Sequence, residues 1–256
     1  MEGSLPVFLG LGVQKGGTTT LHGWLSSHPQ VHLPPVKELH YFSLHHERGP
    51  AWYAARFADA PPGSLCGDIT PYYIFHPEAP RRIQALLPEV RLIVLLRDPV
   101  DRALSQYFHS RRLGFEPLEL EEALAAEPER LAGAEQVLRA DGGRHRSHQE
   151  HSYVSRSRYE QQLARYQALF APEQLLVLRS EDLFAGSPEL WRRLLTFLEL
   201  APWQPPAPAV ANAGGGEALA VPAAVRQRLR AQLDSTYQAM ARDCGISWEP
   251  PTVRMR

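Results

Sequence analysis

A chain of 256 residues, 44% of them hydrophobic, is long enough to bury one sizeable core and reads as a single domain over residues 1–256. Its 27 Lys plus Arg nearly balance 28 Asp plus Glu, so no global field calls for nucleic acid or an anionic membrane, and any anion site has to be local. No stretch reaches about 18 apolar residues, MEGSLPVFLGLGVQKGG lacks a basic leader region, and Cys66 and Cys244 lack metal-ligand spacing; together these predict a cytoplasmic protein with no membrane span and with buried free thiols.

In chain order, PVFLGLGV at residues 6–13 predicts a strand ending in a glycine-rich turn, and TTTLHGWLSSHP predicts the helix after it. RLIVLLRDPVDRALSQYFHSRRLG repeats the pattern: Arg91 to Leu96 is a leucine-rich, β-branched strand, Asp98 suits an N-cap and Pro99 the first helical position. Residues 119–140 predict a charged helix, and DGGRHRSHQEHSYVSRSR, residues 141–158, predicts an exposed loop, either a solvated one or a mobile lid or acceptor-contact segment, ahead of a helix from Tyr159 to Phe170. QLLVLRSEDL at residues 174–183 predicts a third strand, followed by the amphipathic helix SPELWRRLLTFLEL. Residues 201–216, APWQPPAPAVANAGGG, predict a loop, and a last helix should run from Pro222 to Ala241. Continuous apolar strands alternating with helices predict the α/β class, with one central parallel sheet flanked by helices.

QKGGTTTL, residues 14–21, joins the first strand to the first helix, where backbone N–H groups and the helix dipole favour an anion. Gly16 and Gly17 let the backbone approach a phosphate closely, Lys15 adds a point charge, and Thr18, Thr19 and Thr20 offer hydroxyl donors. A capped turn with a surface lysine is the structural alternative. The string is not a nucleoside-triphosphatase P-loop, because GxxxxGK[ST] needs its lysine after the glycines and Lys15 comes before Gly16. Arg97 closes the next strand, and with Asp98 as cap, Ser105 lies about two turns into the following helix on the face of its start, so one anion can meet both side chains.

These strings resemble the sulfotransferases that use 3′-phosphoadenosine 5′-phosphosulfate (PAPS), in particular the branch of the heparan sulfate N- and 3-O-sulfotransferases and their bacterial relatives. That family's 5′-phosphosulfate loop has the form K-x-G-T-[ST]-x-L, matched by Lys15, Gly17, Thr18, Thr19 and Leu21. Its second element, an arginine at a strand end with a serine eight residues later, is matched by Arg97 and Ser105. HP at 28–29, ELHYF at 38–42, WY at 52–53 and TP at 70–71 follow in the family's order. The resemblance implies a P-loop-like sulfotransferase fold, PAPS as donor with adenosine 3′,5′-bisphosphate as product, and an acceptor that is a carbohydrate or a small hydroxyl compound.

It also implies roles. Arg97 and Ser105 would hold the 3′-phosphate, and Arg158 and Tyr159 in SRSRY, with Arg156, would lie near the nucleotide. Glu38 would be the general base, Lys15 would stabilise the leaving oxygen, and Asp68 would be an auxiliary carboxylate at the pocket edge. His40, two residues after Glu38, would bind the acceptor, tune Glu38, or be structural. Two departures stand out: Ile69, where glycan-acting relatives carry a lysine, and ANAGGG at residues 211–216, which lacks the lysine or arginine that relatives place beside glycine. Arginines 111, 112, 144, 146, 156 and 158 are candidates for a basic cleft suited to an anionic glycan, or scattered solvated charge. His145, His148 and His151 do not have the spacing of a known closed site, so no metal is expected. An ATP-dependent small-molecule phosphotransferase and a catalytically inactive nucleotide-binding relative are the rival readings.

Overall fold

The computed structural model describes residues 5–204 and 216–248. Five strands form one sheet: β1 (Phe8–Gly12), β2 (Val31–His32), β3 (Leu65–Ile69), β4 (Arg91–Leu96) and β5 (Leu175–Arg179), in the order β2-β3-β1-β4-β5. Every pairing is parallel. β1 is buried along its whole length because both faces of the sheet are covered.

Alternation along β4 separates the two apolar layers. Leu92, Val94 and Leu96 join Leu9 and Leu11 in one, whereas Ile93 and Leu95 join Phe8, Ile69, Trp24 and Trp191 in the other. Phe8 stands opposite Gly67 in the β1–β3 register, and its ring covers that glycine. A Cβ at position 67 would lie 2.1 Å from Phe8 Cζ, which explains a glycine inside a strand.

Sequence and structure differ in several elements. β2 and β3 were not expected. β5 stops at Arg179, and Ser180–Phe184 is a short helix rather than more strand. The 119–140 segment breaks into Leu120–Leu131 and Ala134–Leu138, with Gly133 between them at φ 74. The last helix is two, Ala223–Gln232 and Asp234–Cys244. Of the expected 201–216 loop, residues 205–215 lie outside the described residues, and with them most of ANAGGG. Cys66 is buried, Cys244 is partly buried, and both are free thiols. No helix among the described residues is long and apolar enough to cross a membrane.

The largest correction concerns residues 141–158. Instead of an exposed loop the structure has a helix, Arg146–Glu150, followed by a buried run that includes Ser152, Tyr153, Arg156 and Ser157. The cause is tertiary. Fully buried Arg102 donates to Ser157 Oγ at 2.5 Å and to the Tyr153 carbonyl, and Glu127 accepts the N–H groups of Val154 and Ser155, each at 2.8 Å. Backbone groups that a loop would leave to water thus find protein partners.

Two predictions follow from this packing. Gly67→Ala pushes a methyl into the Phe8 ring, and overpacking of this kind should lower stability by about 1–3 kcal/mol, read as a lower urea midpoint with an unchanged slope. Burial pushes His76 down to about 3 and His148 to about 2. The unfolded chain takes up these protons near the ordinary histidine value, so stability is complete above about pH 6.5 and is lost as pH falls, by on the order of 1 kcal/mol per histidine at about pH 5.5. A urea midpoint that stays level over that interval would contradict it.

Candidate functional site

β1 ends at Gly12, and residues 14–17 turn the chain into the helix Thr18–Ser26. Gly17 is the N-cap at φ 92 and no side chain caps the helix, so its first N–H groups are open to a ligand. Both glycines are required by space: a Cβ would lie 2.8 Å from the Leu95 carbonyl at Gly16 and 2.7 Å from the Phe184 ring at Gly17. Thr18 is buried, Thr19 exposed and Thr20 intermediate, so the three hydroxyls are not equivalent.

Arg97 leaves the end of β4 beside this turn, and its Nη1 donates to the Lys15 carbonyl at 3.2 Å. Neither Lys15 nor Arg97 meets a carboxylate among the described residues. Burial first, and then the charges of Arg112, Arg97, Arg102 and Lys37, push the Lys15 ammonium below its usual range. The loop is thus short of negative charge. Asp98 caps the helix Pro99–Arg112, accepting from Asp101 N at 2.9 Å and from the Tyr237 hydroxyl at 2.9 Å. Ser105 sits on that helix, nearly buried, its hydroxyl without a hydrogen bond among the described residues.

Asp68 has a position other than the one expected, and Tyr159 meets the backbone of Arg97. Tyr159 is fully buried and donates to the Arg97 carbonyl at 2.9 Å, which puts it behind Arg97. Arg158, half-buried, precedes the helix Tyr159–Gln167. Asp68 is a buried hub rather than a pocket-edge carboxylate. Its Oδ2 accepts from Tyr53 at 3.0 Å and Tyr73 at 2.7 Å, and its Oδ1 from Thr70 at 2.8 Å. Burial pushes its carboxyl up, while these hydroxyls and the Leu39 N–H pull it back. Thr70 Oγ1 in turn accepts the His40 N–H at 3.4 Å. Ile69, beside it, packs into the apolar layer against Gly10, so no cation stands there.

Asp68 therefore anchors the segment that carries Glu38 and His40. Both residues have left-handed backbones, φ 62 and 53. Glu38 Oε1 accepts from Lys37 Nζ at 2.6 Å, and Lys37 also donates to Thr19 Oγ1 at 3.3 Å, linking this segment to the first helix. His40 Nε2 lies 3.7 Å from Glu38 Oε2, and its Nδ1 is 3.1 Å from Ser43 Oγ. Burial, outweighing the Glu38 carboxylate, holds His40 at about 4, so at neutral pH it is an uncharged hydrogen-bonding group.

A cavity of about 210 Å³ opens beside Glu38 and His40; Gln14, Pro71, Tyr72, Gln149, Glu150 and Arg156 complete its wall. Sequence reasoning gave no role to Gln14, Lys37, Tyr72, Arg102 or Glu150. Only Gln14 and Lys37 could have been found, by their adjacency to Lys15 and Glu38. Of the candidate basic-cleft arginines, Arg111 binds Glu119, Arg112 binds Glu217, Arg146 binds Glu150, Arg144 donates to the Leu44 carbonyl, Arg156 is buried and Arg158 is half-buried. The three histidines also part company. His145 Nδ1 accepts the His148 N–H, His148 meets the Tyr72 hydroxyl at 2.7 Å, and His151 meets the Phe115 carbonyl at 3.0 Å.

The chain is 43% identical over 102 residues to human heparan sulfate glucosamine 3-O-sulfotransferase 6, covering 40% of this chain and 30% of that protein. It is 41% identical over 109 residues to the membrane-associated sulfotransferase kil1 of Dictyostelium discoideum, covering 41% of this chain and 23% of that protein. The matched segment thus spans less than a third of either relative's length. A sulfotransferase from Alicyclobacillus acidocaldarius superposes with a TM-score of 0.79 at 26% identity, over 96% of this chain and 98% of that one. Mouse sulfotransferase SULT7A1 complexed with PAP shares the fold at a TM-score of 0.51 and 12% identity, over 95% of this chain and 86% of that one. The match to the sulfotransferase domain runs over residues 6–205, from β1 through the helix Pro188–Phe197 and so across every strand of the sheet; the chain belongs to the sulfotransferase domain family.

Proposed function

We propose that this chain transfers a sulfuryl group from PAPS to a hydroxyl or amine of an acceptor, by in-line displacement at sulfur. The observation that carries the reading is the pair of cations at neighbouring strand ends: Lys15 on an uncapped helix N-terminus, and Arg97 hydrogen-bonded to the Lys15 carbonyl, neither with a carboxylate among the described residues. Two linked cations at the carboxyl ends of parallel strands suit a ligand with two separate phosphate groups. PAPS differs from ordinary adenine nucleotides by such a second group, its 3′-phosphate, which Arg97 and Ser105 would hold while the Lys15 loop takes the 5′-phosphosulfate.

In the transfer the acceptor oxygen forms a bond to sulfur as the bond from sulfur to the bridging oxygen breaks. The acceptor proton goes to Glu38, and the negative charge left on the bisphosphate is met by Lys15. His40, uncharged, orients the acceptor or the Glu38 carboxylate. Asp68 acts from behind, by holding residues 39 and 40 through Leu39 N–H and Thr70. The relatives named for heparan sulfate support a carbohydrate acceptor. The pairing of Arg111, Arg112 and Arg146 with acids, and the small cavity beside Glu38, favour one sugar-sized or smaller hydroxyl compound at the reacting end over a long polyanion. An acceptor screen with labelled PAPS across glycans, phenols, lipids and peptides identifies it.

By calorimetry, adenosine 3′,5′-bisphosphate should bind at least about tenfold more tightly than AMP, because a charge-assisted hydrogen bond is worth roughly 1.5–3 kcal/mol. Arg97→Ala should erase most of that preference; equal wild-type affinities would overturn the donor assignment. Glu38→Gln should lower turnover on the order of a hundredfold while bisphosphate affinity changes less than about threefold. Retention of more than about half the wild-type rate, with chemistry rate-limiting, would move the base elsewhere.

A further inference from the structure

Arg156 is one of the most deeply buried side chains in the protein, 1% exposed, and no carboxylate lies within salt-bridge distance of it among the described residues. Its Nη1 donates to Gln14 Oε1, and its Nη2 donates to the carbonyls of His148 at 2.7 Å and Gln149 at 3.0 Å. The guanidinium lies over the rings of Tyr72 and Phe75, with centroids 5.2 and 4.9 Å away. A cation buried without an anion is unfavourable, and an apolar side chain between two aromatic rings would fill the space better. Stability alone does not account for an arginine here.

Its contacts do. Gln14 directly precedes Lys15, the cation of the anion cradle. His148 and Gln149 belong to the helix Arg146–Glu150, and Gln149 and Glu150 stand in the cavity wall facing Glu38 and His40. Only a planar fork reaches both sides at once; a lysine, with its donors on one atom, cannot span them. The receiving wall is itself firm: His148 stacks on Phe75 at 4.1 Å, and Ser110 Oγ holds the Glu150 carbonyl at 2.8 Å. Lys15 is fixed from its other side by Arg97. A shift of the cradle on taking up an anion therefore has a short route to the wall at residues 148–150, through Gln14 and Arg156, separate from the Thr19–Lys37 link to Glu38.

We propose that Arg156 is a positioning residue that locks the donor loop, through Gln14, to the acceptor-side wall at residues 148–150, so that filling the cradle with donor orders the cavity the acceptor enters. This rests on the reading that the Lys15 loop takes the donor, and it adds that the two half-sites are mechanically one.

The test is amide hydrogen exchange at residues 146–152 with and without saturating adenosine 3′,5′-bisphosphate, occupancy being read by calorimetry. In the wild type the bisphosphate should slow exchange there on the order of tenfold. Gln14 is only partly buried, so Gln14→Met should fold; it should bind the bisphosphate within about threefold of wild type and lose the protection. Gln14→Glu, which keeps an acceptor oxygen for Nη1, should retain it, a rescue that general loosening of the loop would not give. Arg156→Lys should behave like Gln14→Met. Protection that persists in Gln14→Met at equal occupancy, or wild-type binding with no change at residues 146–152, overturns the proposal. Failure of the wild type to bind the bisphosphate at all would instead overturn the donor assignment, and this inference with it.

Discussion

The parallel register between β1 and β4 is the constraint on which the site depends. Phe8, Leu9 and Gly10 stand opposite Arg91, Leu92 and Ile93, and then the register slips so that Gly12 faces Val94. A slip of this kind re-aims the chain just where the strand ends. Val13 N–H still bonds the Leu95 carbonyl at 2.9 Å, which keeps the two exits side by side, and Arg97 then reaches the Lys15 carbonyl. Without that register the two cations would serve different surfaces. With it the charge of Arg97 bears on the Lys15 ammonium, a repulsion that a bound anion would relieve.

A second constraint acts across β1 on the other side. Lys15, Glu38 and His40 are three of the four non-glycine residues with positive φ among the described residues. Such conformations cost on the order of 1–3 kcal/mol each and persist only where surrounding structure over-determines them. For Glu38 and His40 that structure is Asp68, which spends both carboxylate oxygens on Tyr53, Tyr73 and Thr70 and reaches the segment through Leu39 N–H and the Thr70 hydroxyl. Tyr53 is in turn stacked on Tyr41, 4.4 Å away, so the residue after His40 is pinned as well. The geometry of the candidate base is thus set by an aromatic core, and Asp68, expected as an auxiliary carboxylate at the pocket edge, is buried within it.

What was legible in the sequence was whatever local chemistry specifies. β1 and β4 announced themselves as unbroken apolar runs, Asp98-Pro99 as a helix start, and the Lys15 loop by its glycines and threonines. β3 did not, because LCGDI carries a glycine that admits the Phe8 ring and an aspartate that binds three hydroxyls and the Leu39 N–H, partners that come from elsewhere in the fold. The 141–158 stretch misled for the same reason: Gly, Arg, His and Ser read as solvent-loving, yet here they are ordered by Arg102 and Glu127, which lie far away in the chain. Nor does the sequence display what Tyr159 does in the structure, which is to donate a hydrogen bond to the Arg97 backbone.

The near-neutral composition implied that any anion site would be local, and the pairing pattern is how a balanced chain would create the proposed one. Many surface arginines face acids: Arg91 meets Glu199, Arg165 meets Glu135, and Arg228 meets Glu121. Lys15, Arg97, Arg102 and Arg156 meet none among the described residues, and the last two are bound instead by carbonyls, a serine and glutamine side chains. Neutral acceptors satisfy a guanidinium's hydrogen bonds without cancelling its charge. Arg112, Arg97, Arg102 and Lys37 all act on the Lys15 ammonium, and Arg156 acts on His40. The positive field around Lys15 therefore combines cations that have a carboxylate, Arg112 and Lys37, with cations that have none among the described residues, Arg97 and Arg102, a property of the tertiary structure that no count of charges contains.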